Sequence, residues 1–202
     1  MSFHSYNPAD GHGLKHNPFK ALISPRPIGW ISSRSADGIS NLAPYSFFNA
    51  LSENPPLLGF SSSGRKDSLR NIEATGAFVH NVAGLALVEQ MNATSAPYAE
   101  EMSEIETLGL ETLPGELVDV PRLAGAPASF ECKLVEIKQL EDHKGVKINN
   151  YFIIGEVVRV HIQSHLITDG MIDEAAIAAV GRLGYFNYAA VKDIFALARP
   201  KI

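Results

Sequence analysis

Several features that would direct an interpretation are scarce or absent in this 202-residue chain. A single cysteine, Cys132, excludes an internal disulfide network and any metal site built from several thiolates. Acidic residues outnumber basic ones by 22 to 17, which leaves no basic excess for binding nucleic-acid phosphates. No apolar run approaches a membrane span, and the N-terminus lacks the basic and apolar regions of a secretory signal. These absences predict a cytoplasmic protein that binds neither nucleic acid nor membrane.

The chain does contain enough apolar sequence to build a core. Hydrophobic residues make up 46% and charged residues 19%, a composition typical of globular proteins. The length suits one domain, and no linker, repeat or low-complexity segment divides the chain. We therefore predict a single domain over residues 1–202.

Short extended segments separated by turn-forming residues dominate the chain. We predict strands over 28–33, 40–48, 57–62, 77–82, 128–134 and 152–162, the first two joined as a hairpin by Ala36-Asp37-Gly38. Helical turns are predicted at 19–23, from Asp67 or Ser68 to Gly76, and around Leu85 to Met91. Strict strand–helix alternation and a glycine-rich dinucleotide fingerprint are missing, so we predict a mainly β fold, a β-barrel with inserted helices.

Two strands alternate apolar and polar residues, as half-buried strands do. The apolar sets, expected to face the core, are Ala128, Phe130, Cys132 and Leu134, and Val158, Val160 and Ile162. The alternating polar sets are Ser129, Glu131 and Lys133, and Arg159, His161 and Gln163. A separate acidic stretch with Glu100, Glu101, Glu104 and Glu106 is expected to form a solvated face.

The densest polar cluster runs from Ser61 to Ser68. It combines hydroxyls, the cations Arg65 and Lys66, and a predicted helix N-terminus, a set of groups suited to a phosphate. Asp67 would repel a phosphate, so we expect it to cap the helix. A polar loop before a capped helix is the alternative that these residues leave open.

A second cluster, residues 41–48, mixes small, hydrogen-bonding and aromatic residues. Such a strand could lie beside a flat heteroaromatic ligand, with its free backbone N–H and C=O groups contacting the polar rim. A buried strand with aromatic core residues is the alternative.

Six motifs stand in a fixed order over residues 25–82. They are Arg26-Pro27-Ile28-Gly29-Trp30-Ile31-Ser32, Asp37-Gly38, Asn41-Leu42-Ala43-Pro44-Tyr45-Ser46-Phe47-Phe48-Asn49, Asn54-Pro55-Pro56, Arg65-Lys66-Asp67-Ser68 with Asn71-Ile72, and Phe78-Val79-His80-Asn81. This order resembles the flavin reductase-like proteins with the FMN-binding split barrel, which include flavoredoxin and the reductase components of two-component monooxygenases. Residues 181–186 are similar to the looser C-terminal half of that family.

The resemblance implies a set of cofactor-binding residues. The isoalloxazine ring would lie along Asn41, Ala43, Pro44, Tyr45 and Ser46, and the ribityl chain and phosphate near Ser61, Ser62 and Ser63. Arg65, Lys66 and Ser68 would hold the phosphate, and Asn81 would close the site. The chain departs from the family pattern at Ser68 and His80, where threonine and an aliphatic residue are frequent. It also departs over residues 181–185, where many members have a paired glycine, so the resemblance assigns no role to Arg182 or Tyr185.

The resemblance also implies a function. It predicts an NAD(P)H-dependent flavin reductase that transfers hydride to bound FMN and onward to free flavin, an oxygenase partner or another acceptor. A flavoredoxin-like electron carrier with a protein donor, or a flavoprotein acting on another organic substrate, are the alternatives. The family implies a homodimer. We name no catalytic side chain, because the flavin would carry the redox chemistry.

Two histidine pairs have the i, i+4 spacing of some metal sites. They are His12 with His16, which Gly13 interrupts, and His161 with His165, which begins in a predicted strand. No carboxylate stands at a matching spacing, so we predict no metal site. Cys132 is expected to be an unreactive buried thiol.

Overall fold

A computed structural model describes residues 1–200. The strands are β1 (Arg26–Pro27), β2 (Gly29–Arg34), β3 (Ser40–Tyr45), β4 (Phe48–Glu53), β5 (Pro56–Ser63), β6 (Ala77–Val82), β7 (Thr112–Leu113), β8 (Arg122–Leu123), β9 (Ala128–Glu141), β10 (Lys147–Ile162), β11 (Ile167–Thr168), β12 (Met171–Ile172), β13 (Val180–Arg182) and β14 (Tyr188–Ala190). The α-helices are α1 (Phe19–Leu22), α2 (Asp67–Thr75), α3 (Val88–Ala93), α4 (Glu104–Thr107) and α5 (Glu174–Ile177), with 3-10 turns at Leu85–Leu87 and Ser164–Leu166. The prediction of a mainly β chain with inserted helices is confirmed.

Seven strands form one antiparallel sheet in the order β3-β2-β6-β9-β10-β5-β4. Strands β3 and β4 follow each other in the chain but lie at opposite edges of this sheet. The short link between them therefore requires the sheet to curl until its edges approach. The Ser61 N–H donates to the Phe47 carbonyl at 2.8 Å, which ties β5 to this link. The curl brings the ends of β3 and β5 together.

The predicted hairpin is confirmed, since β2 pairs with β3 in the register Ile31 to Ala43. The prediction of one extended run over 40–48 is wrong, because Ser46 and Phe47 separate two strands. Strand β3 ends at Tyr45, opposite Gly29, where β2 begins, and Phe48 starts a strand at the other sheet edge. Strand β2 offers no residue to pair with beyond Tyr45, so the chain crosses to the opposite edge of the sheet.

The apolar core lies on both faces of the sheet. Phe60, Phe78 and Ile153 pack with Leu69 and Ile72 of α2 in one cluster. These two α2 residues are three apart, so they share the buried face of the helix. Burial of each aliphatic side chain stabilises the folded state by about 1.5–3 kcal/mol. This packing fixes α2, and with it the position of its N-terminus.

The opposite face of the sheet carries the second cluster. Trp30 and Leu42 pack there with Met91 of α3. The Trp30 indole N–H donates to the Thr94 hydroxyl at 2.9 Å, so its polar atom is satisfied in the core. None of the helices described over residues 1–200 is long and apolar enough to cross a membrane.

The alternation expected for β9 and β10 is wrong at several positions. Glu131 is buried, whereas Val160 and Ile162 are 44% and 38% exposed. The pairing of β10 with β9 shifts register between Val157 and Arg159. A one-residue shift turns the following side chains to the other face, so the apolar residues after it point outward.

Candidate functional site

A cavity of about 750 Å³ opens where the ends of β3 and β5 meet the N-terminus of α2. Its volume is within the range of small-molecule sites, about 300–1,000 Å³. The structure brings together most of the residues expected in the site. Those that line the cavity are Asn41, Ala43, Pro44, Tyr45, Ser46, Ser61, Ser63, Arg65, Lys66 and Ser68.

Ser62 and Asn81 were also expected there, but neither lines the cavity. Both are fully buried. The Ser62 hydroxyl donates to the Gly64 carbonyl at 2.9 Å. The Asn81 side chain donates to the Trp30 carbonyl and accepts from the Leu123 N–H at 2.9 Å. Protein groups thus occupy the polar atoms of Asn81, which joins β6 to β2 and β8.

The loop after β5 delivers cations to one end of the cavity. Gly64 has φ +83°, a left-handed conformation that side chains disfavour, and its N–H donates to the Asn149 carbonyl at 2.9 Å. This turn leads into Lys66, which is the N-cap residue of α2. No side chain caps the helix, so its first N–H groups have no capping acceptor from the protein. A helix N-terminus in this state favours an anion.

The two cations of this loop differ in their partners. Arg65 forms an ion pair with Glu73, and its guanidinium lies 5.7 Å from the centre of the Tyr151 ring. Lys66 forms no ion pair with any residue in the range 1–200. Lys66 is therefore the loop cation with its charge uncompensated by a protein carboxylate.

The capping role expected of Asp67 or Ser68 is wrong. Asp67 forms an ion pair with Arg70, three residues along the helix, and Arg70 also reaches Glu100 at 2.9 Å. The Ser68 hydroxyl accepts from the Asn41 amide at 2.9 Å, which ties α2 to β3. A cation at i+3 attracts the Asp67 carboxylate away from the helix N–H groups.

Strand β3 forms the wall of the cavity as a sheet edge. The Leu42 N–H points away from β2 and donates to the Glu104 carboxylate at 2.9 Å. The next outward position is Pro44, which has no N–H. The expected row of free N–H groups is therefore absent at these two positions, where the edge offers carbonyl oxygens alone.

Glu104 corrects the expectation of a solvated acidic face. It is 5% exposed and is one of the residues that line the cavity. Burial raises the pKa of Glu104, against the smaller lowering effect of the Leu42 N–H. The residue is buried because α4 packs on β3, a contact between segments 62 residues apart.

Tyr45 contributes a buried hydroxyl that lies near the Ser68 and Ser62 hydroxyls but forms no hydrogen bond of regular geometry with them. Its ring packs against Phe60 with centroids 4.7 Å apart, and burial raises the pKa of the phenol. Buried polar atoms are normally partnered. Tyr45 lines the cavity, but its hydroxyl is buried beside Ser68 and Ser62.

Sequence reasoning missed part of the lining. Lys20, Arg70, Asn150 and the segment 94–98 also face the cavity. Arg70 could have been found from its i+3 spacing to Asp67. Asn150 reaches the site because it pairs with Ser63 across β10 and β5, and no local signal in the sequence shows that pairing.

His80, the departure from the family pattern, does not line the cavity. Its ring packs between Phe48 and Phe130, with centroid distances of 4.4 and 5.5 Å. The Nδ1 atom is buried without a partner, and burial lowers the pKa of His80 to about 3. Its role is therefore packing as a neutral ring.

The histidine pairs do not assemble a metal site in the part of the chain that the structure describes. His161 instead contacts the Glu131 carboxylate at 2.7 Å. Cys132 is fully buried, and burial raises the pKa of its thiol, with the Glu131 charge adding to the effect. The thiol has the environment of an unreactive core residue.

Comparison with known proteins defines the class. The family model for the flavin reductase like domain matches residues 22–187. A protein of Halalkalibacterium halodurans named as uncharacterised is 37% identical over 185 residues, covering 89% of this chain and 88% of that protein. The chain therefore belongs to the flavin reductase-like family.

Solved structures agree on the fold. Nitrilotriacetate monooxygenase component B from Bacillus cereus is 32% identical with a TM-score of 0.88, covering 98% of this chain and 100% of that one. A split-barrel protein of Shewanella frigidimarina assigned as a flavin reductase is 26% identical with a TM-score of 0.83, covering 99% and 100%. The expected FMN-binding split-barrel fold is confirmed.

Proposed function

We propose that the protein is an NAD(P)H-dependent flavin reductase that holds FMN in the 750 Å³ cavity between β3, β5 and α2. The observation that carries this proposal is the meeting of an uncapped helix N-terminus with the unpaired Lys66 at one end of that cavity. In a member of the flavin reductase-like family, this end suits the phosphate of the cofactor.

The donor set fits each part of FMN in turn. Lys66 and the first N–H groups of α2 would hold the phosphate, and the hydroxyls of Ser61 and Ser63 would face the ribityl chain. The β3 edge, with Ala43, Pro44 and Tyr45 in the cavity wall, would lie along the ring. We propose that Arg65, already paired with Glu73, contributes less to the phosphate than Lys66.

When bound, FMN supplies the redox chemistry by accepting a hydride from a reduced nicotinamide and releasing electrons to an acceptor. The protein contributes positioning, since a hydride transfer between two stacked rings needs no side-chain acid or base. Lys66 and α2 would hold the phosphate end of the ligand, and β3 would lie beside the ring end. Glu104 holds the β3 backbone in place through the Leu42 N–H.

The acceptor and the assembly are also proposals. The similarity to a monooxygenase component B supports delivery of reduced flavin to an oxygenase partner. We further propose that the protein is a homodimer, which sedimentation equilibrium would test directly.

An anaerobic titration tests the reductase proposal. The purified protein is loaded with FMN, mixed with NADH and then with NADPH, and the visible flavin absorption is followed. We expect bleaching with at least one nucleotide and subsequent reduction of added free flavin. Bound flavin that neither nucleotide bleaches would instead support an electron carrier with a protein donor, and a protein that does not quench FMN fluorescence would contradict both functions.

A further inference from the structure

A second, smaller cavity of about 180 Å³ adjoins the main one. The two share Lys20, Pro44, Ser46 and Ser95 in their walls. Pro44 belongs to β3, so a molecule in the small cavity would lie beside whatever occupies the main cavity. The arrangement offers one chamber for a cofactor and a contiguous one for its reaction partner.

The small cavity is lined by three cations, Lys20, Arg26 and Arg182, and by no acidic residue. We call these three residues the cationic subsite. Arg26 and Arg182 are directly opposite each other in the antiparallel pair β1–β13. Like charges at this position repel, so the pair is unfavourable unless something compensates it.

No carboxylate in the described chain compensates these charges. None of the three cations forms an ion pair with any residue of 1–200. Arg26 is 5% exposed, and its Nε atom is buried without a partner. Burial lowers the pKa of Arg26, and the charge of Arg182 lowers it further. The subsite therefore holds an uncompensated positive charge in a partly desolvated place.

The three cations differ in how much of each is free for a ligand. Arg26 donates to the carbonyls of Lys20, Ile23 and Leu183, so it is held in place and acts through its charge. Arg182 lies over the Tyr188 ring at 4.4 Å and donates to the Tyr185 carbonyl and the Tyr188 hydroxyl. A guanidinium carries five N–H groups, so Arg182 retains donors for a ligand.

We propose that the cationic subsite binds the oxyanion group, phosphate or carboxylate, of the second small-molecule substrate of the flavin reaction. The inference rests on the proposed function for the identity of that substrate, but the charge argument stands on this cavity alone. A nicotinamide dinucleotide would place its diphosphate here, and an organic acid its carboxylate. Guanidinium forks recognise both groups.

Calorimetric binding to the FMN-loaded protein tests this subsite without relying on turnover. ADP-ribose serves as the probe for the dinucleotide source and benzoate as the probe for the carboxylate source. We expect one of them to bind, and Arg182→Gln and Lys20→Gln to weaken it about tenfold or more, as loss of a charge-assisted contact predicts. Lys138→Gln, an exposed lysine on β9, should leave binding unchanged.

Further readouts separate the subsite from the reductase proposal and from a folding defect. Arg182→Lys keeps the charge and should retain more affinity than Arg182→Gln, and a cooperative thermal unfolding transition shows that the variants are folded. If neither probe binds at millimolar concentration, or if the variants bind as the parent does, the subsite is rejected even when NAD(P)H bleaches the flavin. Probe binding that the variants lose, without bleaching by nucleotide, keeps the subsite and rejects the reductase.

Discussion

Two buried polar regions of this molecule differ in how completely their polar groups are hydrogen-bonded. The first, which we call the Glu131 clamp, is the Glu131 carboxylate with His161 and the N–H groups of residues 116–118. Its carboxylate accepts those three N–H groups at 2.7–3.0 Å and contacts His161 at 2.7 Å. The second region is the cavity wall, where Tyr45 has an unpartnered hydroxyl and Glu104 accepts a single N–H from another segment.

The contrast is clearest in the two carboxylates, both of which are buried. Burial alone would raise the pKa of Glu131, but its four partners outweigh burial and lower the pKa to about 2. Burial dominates at Glu104 and raises its pKa. A fully partnered polar group stabilises the fold, whereas incompletely partnered groups around a cavity leave bonding capacity for a ligand.

The largest expected effect comes from breaking the clamp. Glu131→Ala should lower the free energy of unfolding by about 3–5 kcal/mol, because it leaves three N–H groups and His161 without their acceptor in the core. Urea unfolding measures this loss. Glu136→Ala, at an exposed position of the same strand, should change it by less than about 0.5 kcal/mol. An equal loss of unfolding free energy in the two variants would show that the Glu131 clamp stabilises the fold no more than a surface charge does.

Lys66→Ala tests whether a cation without a protein partner in the cavity wall serves ligand binding. We expect FMN binding to weaken by about 1.5–3 kcal/mol, because a charge-assisted contact is lost. Stability without FMN should hardly change, since Lys66 has no ion-pair partner in the described chain. Fluorescence titration of FMN measures the affinity. Arg65→Ala is the matched variant and should weaken binding less; a larger effect for Arg65 would show that its pairing with Glu73 yields to the ligand.

His80 is an incompletely partnered group that lies away from the cavity, so it should cost stability without serving binding. Its folded pKa of about 3 lies below the ordinary value of 6.5. Above pH 6.5 neither state binds the proton, and below it the unfolded state alone does. Each pH unit from 6.5 towards 3 should therefore remove about 1.4 kcal/mol of stability.

His80→Leu tests that expectation. Between pH 6.5 and 4.5 the free energy of unfolding should depend less on pH in the variant than in the parent. The FMN affinity should be unchanged. Below pH 4.5 both proteins should lose stability as the Glu131 carboxylate takes up a proton only in the unfolded state, until the pH reaches its folded pKa of about 2. Parallel pH profiles for the two proteins would mean that His80 binds a proton in the folded state.

The smallest effect is expected at Tyr45. Tyr45→Phe removes a buried hydroxyl that forms no hydrogen bond of regular geometry, although the Ser68 and Ser62 hydroxyls lie near it, so stability without FMN should change by less than about 1 kcal/mol. FMN affinity should fall modestly if the ligand partners this hydroxyl. Unchanged affinity would place the hydroxyl outside the binding interaction.

Local sequence reasoning succeeded where the determining contacts are close in the chain. The hairpin of β2 and β3 follows from the turn at 36–38, and α2 runs from Asp67 to its left-handed cap at Gly76. Backbone conformation at such positions depends on neighbouring residues.

The sequence by itself determined the family, the hairpin of β2 and β3, and the two polar segments 41–46 and 61–68 that reach the cavity, because these depend on motifs and short-range patterns along residues 25–82. Only the tertiary structure decided which polar groups are buried and partnered. Glu104 meets Leu42, and Asn150 meets Ser63, across 62 and 87 residues of chain. Contacts of that range arise from the curling of the sheet, and no local pattern specifies where they fall.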